Sequence, residues 1–119
     1  MRDDEARLLD IVLACREAME YVEGVSETEF RADRKLQRAL CMVLEILGEA
    51  ARAISEPCKA AHPEVPWRDM VGLRNRIVHE YFRLDLTILW QIVTRDLPHH
   101  LALVRPLAPP EAPPQPPSP

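Results

Sequence analysis

The chain has 119 residues, of which 47% are hydrophobic, enough for one domain with a modest core and too many for an intrinsically disordered protein. Its formal net charge is −4 and its isoelectric point lies near 5.5, which excludes a general nucleic-acid coat but leaves room for a local cationic site. Cys15, Cys41 and Cys58 are odd in number and widely spaced, and no signal sequence or long apolar run is visible. A cytoplasmic protein with reduced thiols and no membrane span is expected.

The first helix is expected over about residues 3–23, because Leu8, Val12, Cys15, Met19 and Val22 form one stripe at steps of four and three. Gly24 is a plausible stop. Ser26-Glu27-Thr28-Glu29 has the form of a capping box and starts a short helix or turn.

A second long helix is expected over about residues 33–54, with two apolar stripes. One is Leu36, Leu40, Val43, Leu47 and Ile54. The other, richer in small residues, is Ala39, Met42, Ile46, Ala50 and Ala53. The second stripe is either covered within the chain or forms the seam of a dimer. Glu45 and Glu49 form an i, i+4 pair on the polar face, by default a solvated ion-pair surface and otherwise a partner for Arg74.

Pro57 and Pro63 bracket a short helical piece, and Pro66 fits the first turn of a helix that runs to near Phe82. Asp85 is placed to cap the last helix, with Leu86, Leu89, Ile92, Val93 and Leu97 inward. Pro98 bends or restarts it. His99 and His100 diverge by about 100° on a helix and read as solvated surface, and His62 reads as a loop residue. From Pro106 on, eight of fourteen residues are proline, so residues 106–119 are expected to form an extended tail outside a helical domain of residues 1–105.

The most informative run is Arg74-Asn75-Arg76-Ile77-Val78-His79-Glu80-Tyr81. If the segment is one helix, Met70, Ile77, Val78 and Tyr81 lie within about 60° of Arg74, which puts the arginine at the centre of an apolar stripe. An unpaired charge is costly there. Either a partner neutralises it, or the stripe lines a cleft that binds an anion. Asn75 and His79 are i, i+4 neighbours on the flank, and Gly72 leaves room above the ring. The local basic clusters nominate Arg34, Lys35, Arg68 and Arg76 as cations for a local nucleic-acid site.

These residues resemble a known pattern. Arg74-Asn75, His79 and Tyr81 match the R-N-x-x-x-H and R-x(4)-H-x-Y signature of HEPN-domain ribonucleases, and within them the HepT-like toxins. Asp33-Arg34-Lys35-Leu36-Gln37 leading into Leu44-Glu45-Ile46-Leu47-Gly48-Glu49-Ala50 looks like that family's long second helix. Trp67-Arg68-Asp69-Met70 also fits, and the resemblance spans roughly residues 5–104.

The resemblance implies an all-α, antiparallel four- or five-helix bundle of the HEPN type that forms a homodimer. It implies an endoribonuclease toxin whose catalytic residues are Arg74, His79 and Asn75, with a 2′,3′-cyclic phosphate as product. It also implies a minimal nucleotidyltransferase antitoxin that adds AMP to Tyr81. No metal or other cofactor is expected. The chemistry suits the residues: imidazole titrates near neutrality and serves as acid or base, while arginine forks onto phosphate oxygens and keeps its charge. One protomer supplies one such histidine and a two-proton mechanism wants two, which favours a dimer with both motifs across one cleft. The alternative is a non-catalytic helical adaptor, or nucleotide-binding partner, of a nucleotidyltransferase. A third reading is a plain scaffold in which Arg74 pairs with Glu45 or Glu49.

Overall fold

The computed structural model describes residues 2–80 and 83–111, and of Arg2, His79 and Glu80 it describes the backbone only. Among these residues the elements are α1 (Arg2–Tyr21), α2 (Glu27–Ala32), α3 (Arg34–Ala53), α4 (Glu56–Ala61), α5 (Trp67–Val71), α6 (Leu73–Ile77), β1 (Val78–Glu80), β2 (Arg83–Leu84), α7 (Leu86–Gln91) and α8 (Leu97–Val104). A π-helical turn, Ile92–Asp96, joins α7 to α8, and a 3₁₀ turn, Arg105–Leu107, follows α8. The class is all-α, with one small antiparallel hairpin.

Local chemistry sets the boundaries. Ser26 and Glu29 close a reciprocal capping box on α2. The Asp33 carboxylate accepts from the Leu36 amide and starts α3, and Asp85 does the same for α7 through Ile88. Gly24, at φ 73°, turns the chain after α1 in a conformation that a Cβ disfavours. Pro98 has no amide hydrogen for the carbonyl four residues earlier. The helix meets that deficit by widening into the π turn just before it, and continues as α8 rather than stopping.

α1 and α3 pack antiparallel, because Asp4 at the start of α1 meets Ser55 just past the end of α3. Asp4 accepts from the Ser55 amide at 2.9 Å and from its hydroxyl at 2.6 Å. These two bonds hold the buried Asp4 carboxyl below the usual carboxylate range. α8 completes the central layer against α1, and α5 and α6 cover α3. The core runs through Ile11, Cys15, Leu40, Leu44, Leu47, Met70, Leu73, Ile77, Leu89, Ile92 and Leu97, all fully enclosed. Burial pushes the Cys15 thiol up to about 12, so it is an inert filler. At the α2 end, Gln37 is buried and donates to the carbonyls of Phe30 and Arg31, satisfying the end of that helix.

The structure departs from the sequence expectation at the motif segment and at His100. The motif segment is not one helix to Phe82. It tightens at Gly72, where the Asn75 amide bonds to the Gly72 carbonyl, and it ends at Ile77, whose carbonyl accepts from the Asp85 amide at 2.7 Å. Val78 then enters an extended pair with Leu84, as suits a β-branched Ile-Val step. His100 is also not solvated surface: it is 4% exposed, inside α8 and facing α5.

The α-helical core does not close at residue 105. Leu107 and Ala108 pack against it, and the Glu111 carboxylate meets Arg16 on α1. Residues 112–119, the rest of the expected tail, lie outside the described residues. No helix among the described residues is long and apolar enough to cross a membrane. The three cysteines are free.

Candidate active site

The site is built where α5 and α6 run back along α3. Gly48 makes the approach possible: a Cβ there would stand 3.3 Å from the Val71 carbonyl oxygen and 3.5 Å from that of Met70. α5 therefore lies on α3 backbone to backbone, and the chain carries on into the motif one turn further along.

Met70, Leu73 and Ile77 are the side chains buried by that contact. They centre the apolar stripe on Leu73 and Ile77 rather than on Arg74. Val78 drops out of the stripe because the helix has ended, and it is 38% exposed. Arg74 is thus on the flank, with its side chain 55% exposed, and carries no burial cost that a partner must relieve. Its Nη1 lies 3.8 Å from Glu45 Oε1 on α3, and Glu45 is itself half exposed. Such a pair is loose and screened. Arg74 and Arg38 both sit close enough to Cys41 to favour its thiolate, though burial outweighs them and the thiol is raised.

Asn75 is exposed beside Arg74. His79 occupies the middle of β1, beyond the end of the helix. The expected i, i+4 stacking of Asn75 and His79 on one helix therefore does not hold, since the peptide between them changes from helical to extended at Val78. Tyr81 lies outside the described residues.

Of the expected RNA cations, Arg34 and Lys35 are exposed on the first turn of α3. Arg68 is exposed on α5 and has no carboxylate partner among the described residues. Arg76 is engaged: Nη1 donates to Asp96 Oδ2 at 3.2 Å and stands 3.6 Å from Asp69 Oδ1. The other Asp69 oxygen lies 3.3 Å from His100 Nε2. Arg76, Asp69, Asp96 and His100 so form one knot that ties α5 and α6 to the last helix. Burial lowers the His100 pKa, against the pull of the Asp69 and Asp96 carboxylates. The knot was not legible in the sequence, because its ends, Asp69 and His100, lie 31 residues apart and only tertiary packing brings them together.

Among the described residues no three His, Cys, Asp or Glu side chains converge in the manner of a metal site. What the segment offers is a mobile-length cation, a neutral amide and a histidine in six successive residues, leaving the shelter of the core at Ile77. That set can bind a phosphodiester and move protons on it.

A family model described as HepT-like, Ribonuclease HepT-like, matches residues 11–107. The protein named "Putative RNase MJ1380" of Methanocaldococcus jannaschii is 39% identical over 97 residues, covering 82% of this chain and 89% of that protein. "Probable ribonuclease HepT" of Thermococcus cleftensis is 37% identical over 97 residues, 82% of this chain and 88% of that one. "Putative RNase TTE0752" of Caldanaerobacter subterraneus is 33% identical over 98 residues, with coverage of 82% and 88%. No solved structure gives a significant match.

Proposed function

Because this chain belongs to the HepT-like ribonuclease family, we propose that it is a metal-independent endoribonuclease toxin that cuts RNA with Arg74, His79 and Asn75. The observation that carries the reading is the state of Arg74: half exposed, loosely held, and five residues before a histidine at the edge of the core. A structural arginine in that position would be sealed by its partner.

In the reaction the 2′-hydroxyl loses its proton to a base and its oxygen attacks the adjacent phosphorus. The bond from phosphorus to the 5′-oxygen breaks, and that oxygen takes a proton from an acid. The products are a 2′,3′-cyclic phosphate and a free 5′-hydroxyl. Arg74 pairs with the non-bridging oxygens, where charge develops. His79 of one protomer is the base and His79 of a second copy is the acid. Asn75 orients phosphate or imidazole without adding charge.

The dimer this needs has a surface to use. Met42 is 59% exposed and Ile46 47%, on the second stripe of α3, and Leu13 on α1 is 47% exposed beside them. Apolar side chains in one continuous strip support a contact with another copy of the chain. Arg34, Lys35 and Arg68 are the further cations for RNA. Arg76 contributes less, since two carboxylates already hold it. The regulatory partner in this reading is a small nucleotidyltransferase that adds AMP to Tyr81. Residues 1–105 are the proposed catalytic domain, with the packing contacts of Leu107 and Ala108 extending it slightly.

The test is RNA cleavage by His79→Ala and Arg74→Ala, with and without EDTA. Both variants should lose cleavage and keep their helical content, and EDTA should have no effect. Cleavage that survives in His79→Ala, or that a chelator abolishes, refutes the assignment. The Arg74–Glu45 contact is the one observation that favours a plain scaffold instead; in that case Arg74→Ala lowers stability and no RNA is cut by the wild type.

A further inference from the structure

A groove of about 980 Å³ runs between the end of α3, α4 and α5. That size stands at the upper end of the range of sites for small organic ligands, ~300–1,000 Å³. Its floor is apolar, from Val65, Pro66, Trp67 and Val71. Trp67 is fixed in place by its indole N–H, which donates to the His62 carbonyl at 3.0 Å. The walls carry four cations, Arg52, Lys59, Arg68 and Arg76, against the two carboxylates of Glu56 and Asp69. In a chain of net charge −4 this is a local inversion of sign.

The cations are not equal. Lys59 stands 3.7 Å from Glu56, and Arg76 is held by Asp69 and Asp96. Arg52 has only a 3.9 Å contact to a well-exposed Glu49, and Arg68 has no carboxylate partner among the described residues. Two guanidiniums are therefore available at the rim of an apolar trough. The trough is lined by Gly72 and Arg76, which stand two residues to either side of Arg74 in the sequence.

We propose that this groove binds the single-stranded flank of the RNA, one to a few nucleotides away from the phosphate that is cut. The inference rests on the ribonuclease reading for the name of its ligand. Arg68 and Arg52 fork onto backbone phosphates, and a base lies against the Pro66–Trp67–Val71 floor. Arginine at the rim with an apolar floor is the combination that sequence-tolerant binding of single strands uses. Arg34 and Lys35 belong to another surface, at the opposite end of α3, roughly 27 Å from Arg52 along a helix of this rise.

The experiment uses the full chain and a fluorescein-labelled, 2′-O-methyl single-stranded RNA on the order of ten nucleotides long. The methyl group blocks the nucleophile, so binding is read by anisotropy without cleavage. Arg68→Gln and Arg52→Gln should each raise Kd about fivefold at 0.15 M salt and lower the slope of log K against log salt by about one. In cleavage of a longer unmodified RNA they should raise KM and leave kcat unchanged. Arg105→Gln, the same charge change on the exposed turn after α8, should bind like wild type.

Three results overturn the proposal. Wild-type Kd in both groove variants means RNA does not enter. An equal loss in Arg105→Gln means only net charge matters. Loss of binding to a purified nucleotidyltransferase, with RNA binding intact, makes the groove a protein dock. A wild type that binds this oligonucleotide through Arg68 but cuts no RNA would remove the catalytic reading and leave the groove standing.

Discussion

Arg74 Nη1 stands 3.8 Å from Glu45 Oε1, spanning from α6 to α3 at the point where the motif begins. Both side chains are half exposed, so the pair adds little to stability, on the order of 0–1 kcal/mol. Its consequence is positional: Glu45 parks the guanidinium near the α3 surface and, in the proposed mechanism, competes with phosphate for it. Glu45→Gln should leave the thermal midpoint nearly unchanged and lower KM for RNA a few-fold, with kcat retained. A loss of stability above about 2 kcal/mol, the cost of breaking a buried network, would mean that Arg74 is structural.

Gly48 sets how closely that surface approaches. The atoms a Cβ would meet are backbone carbonyls of α5, which cannot rotate away. Gly48→Val should cost about 1–3 kcal/mol through overpacking and should displace α5 and α6 from α3, lowering kcat. Gly48→Ala meets the same oxygen at 3.3 Å but gains up to about 1 kcal/mol of helix propensity, so its stability should stay close to wild type. Chemical denaturation of the two variants, read beside cleavage rates, separates fold from position. A Gly48→Val protein as stable as wild type would show that the approach has slack.

How far the sequence alone reached is clearest at α3. Asp33, the two stripes and the end near Ile54 could all be read from spacing, because one helix of twenty residues obeys a single period. The motif segment failed at Val78, where periodicity was extended through a residue that had left the helix. That exit depends on the Asp85 amide reaching the Ile77 carbonyl, a tertiary bond with no local signal. His100 failed similarly: two adjacent histidines read as surface, but one points under α5 toward Asp69. The residue types proposed for catalysis were legible because their chemistry is written in identity; their geometry was not.

His100 makes stability depend on pH in a stated direction. Burial lowers its pKa below 6.5, so the folded chain prefers the neutral ring. Below pH 6.5 the unfolded chain binds a proton that the folded chain resists, and stability falls as the pH is lowered toward the folded pKa. Above 6.5 the contribution is fully present. His100→Leu removes this titration. Urea midpoints at about pH 7.5 and 5.5 should differ less in His100→Leu than in wild type, after allowance for the carboxylates common to both. An equal difference in the two proteins would show that His100 does not titrate in this range.

The exposed strip of Met42 and Ile46 predicts what one charge should do to assembly. Neither side chain supports the core of its own chain, so Ile46→Asp should be folded and as helical as wild type. A buried, unpaired carboxylate in a contact between copies is costly, so the variant should be monomeric. Light scattering should give 13.6 kDa for Ile46→Asp and twice that for wild type. If the second His79 comes from the partner, cleavage is lost with the dimer. A monomeric wild type, or an active monomer of Ile46→Asp, removes the shared-cleft mechanism.

Tyr81 gives the last prediction, on control of the enzyme. It follows His79 by two residues and Arg74 by seven, so in the proposed mechanism a group attached to its hydroxyl is close in sequence to the residues that hold the scissile phosphate. An adenylate brings a phosphodiester anion and a purine. The anion would compete for Arg74, which Glu45 holds only loosely, while Arg76 is already engaged by Asp69 and Asp96 and is the poorer partner. Adenylylation should therefore abolish cleavage by occupying the cation proposed to stabilise the transition state. Tyr81→Phe keeps the ring and takes no part in proton transfer, so it should cut RNA at close to the wild-type rate. It should also resist a nucleotidyltransferase supplied with ATP, and intact mass should show one added AMP on wild type and none on Tyr81→Phe. If the transferase with ATP silences Tyr81→Phe as fully as wild type, control works by masking and the hydroxyl has no part in it.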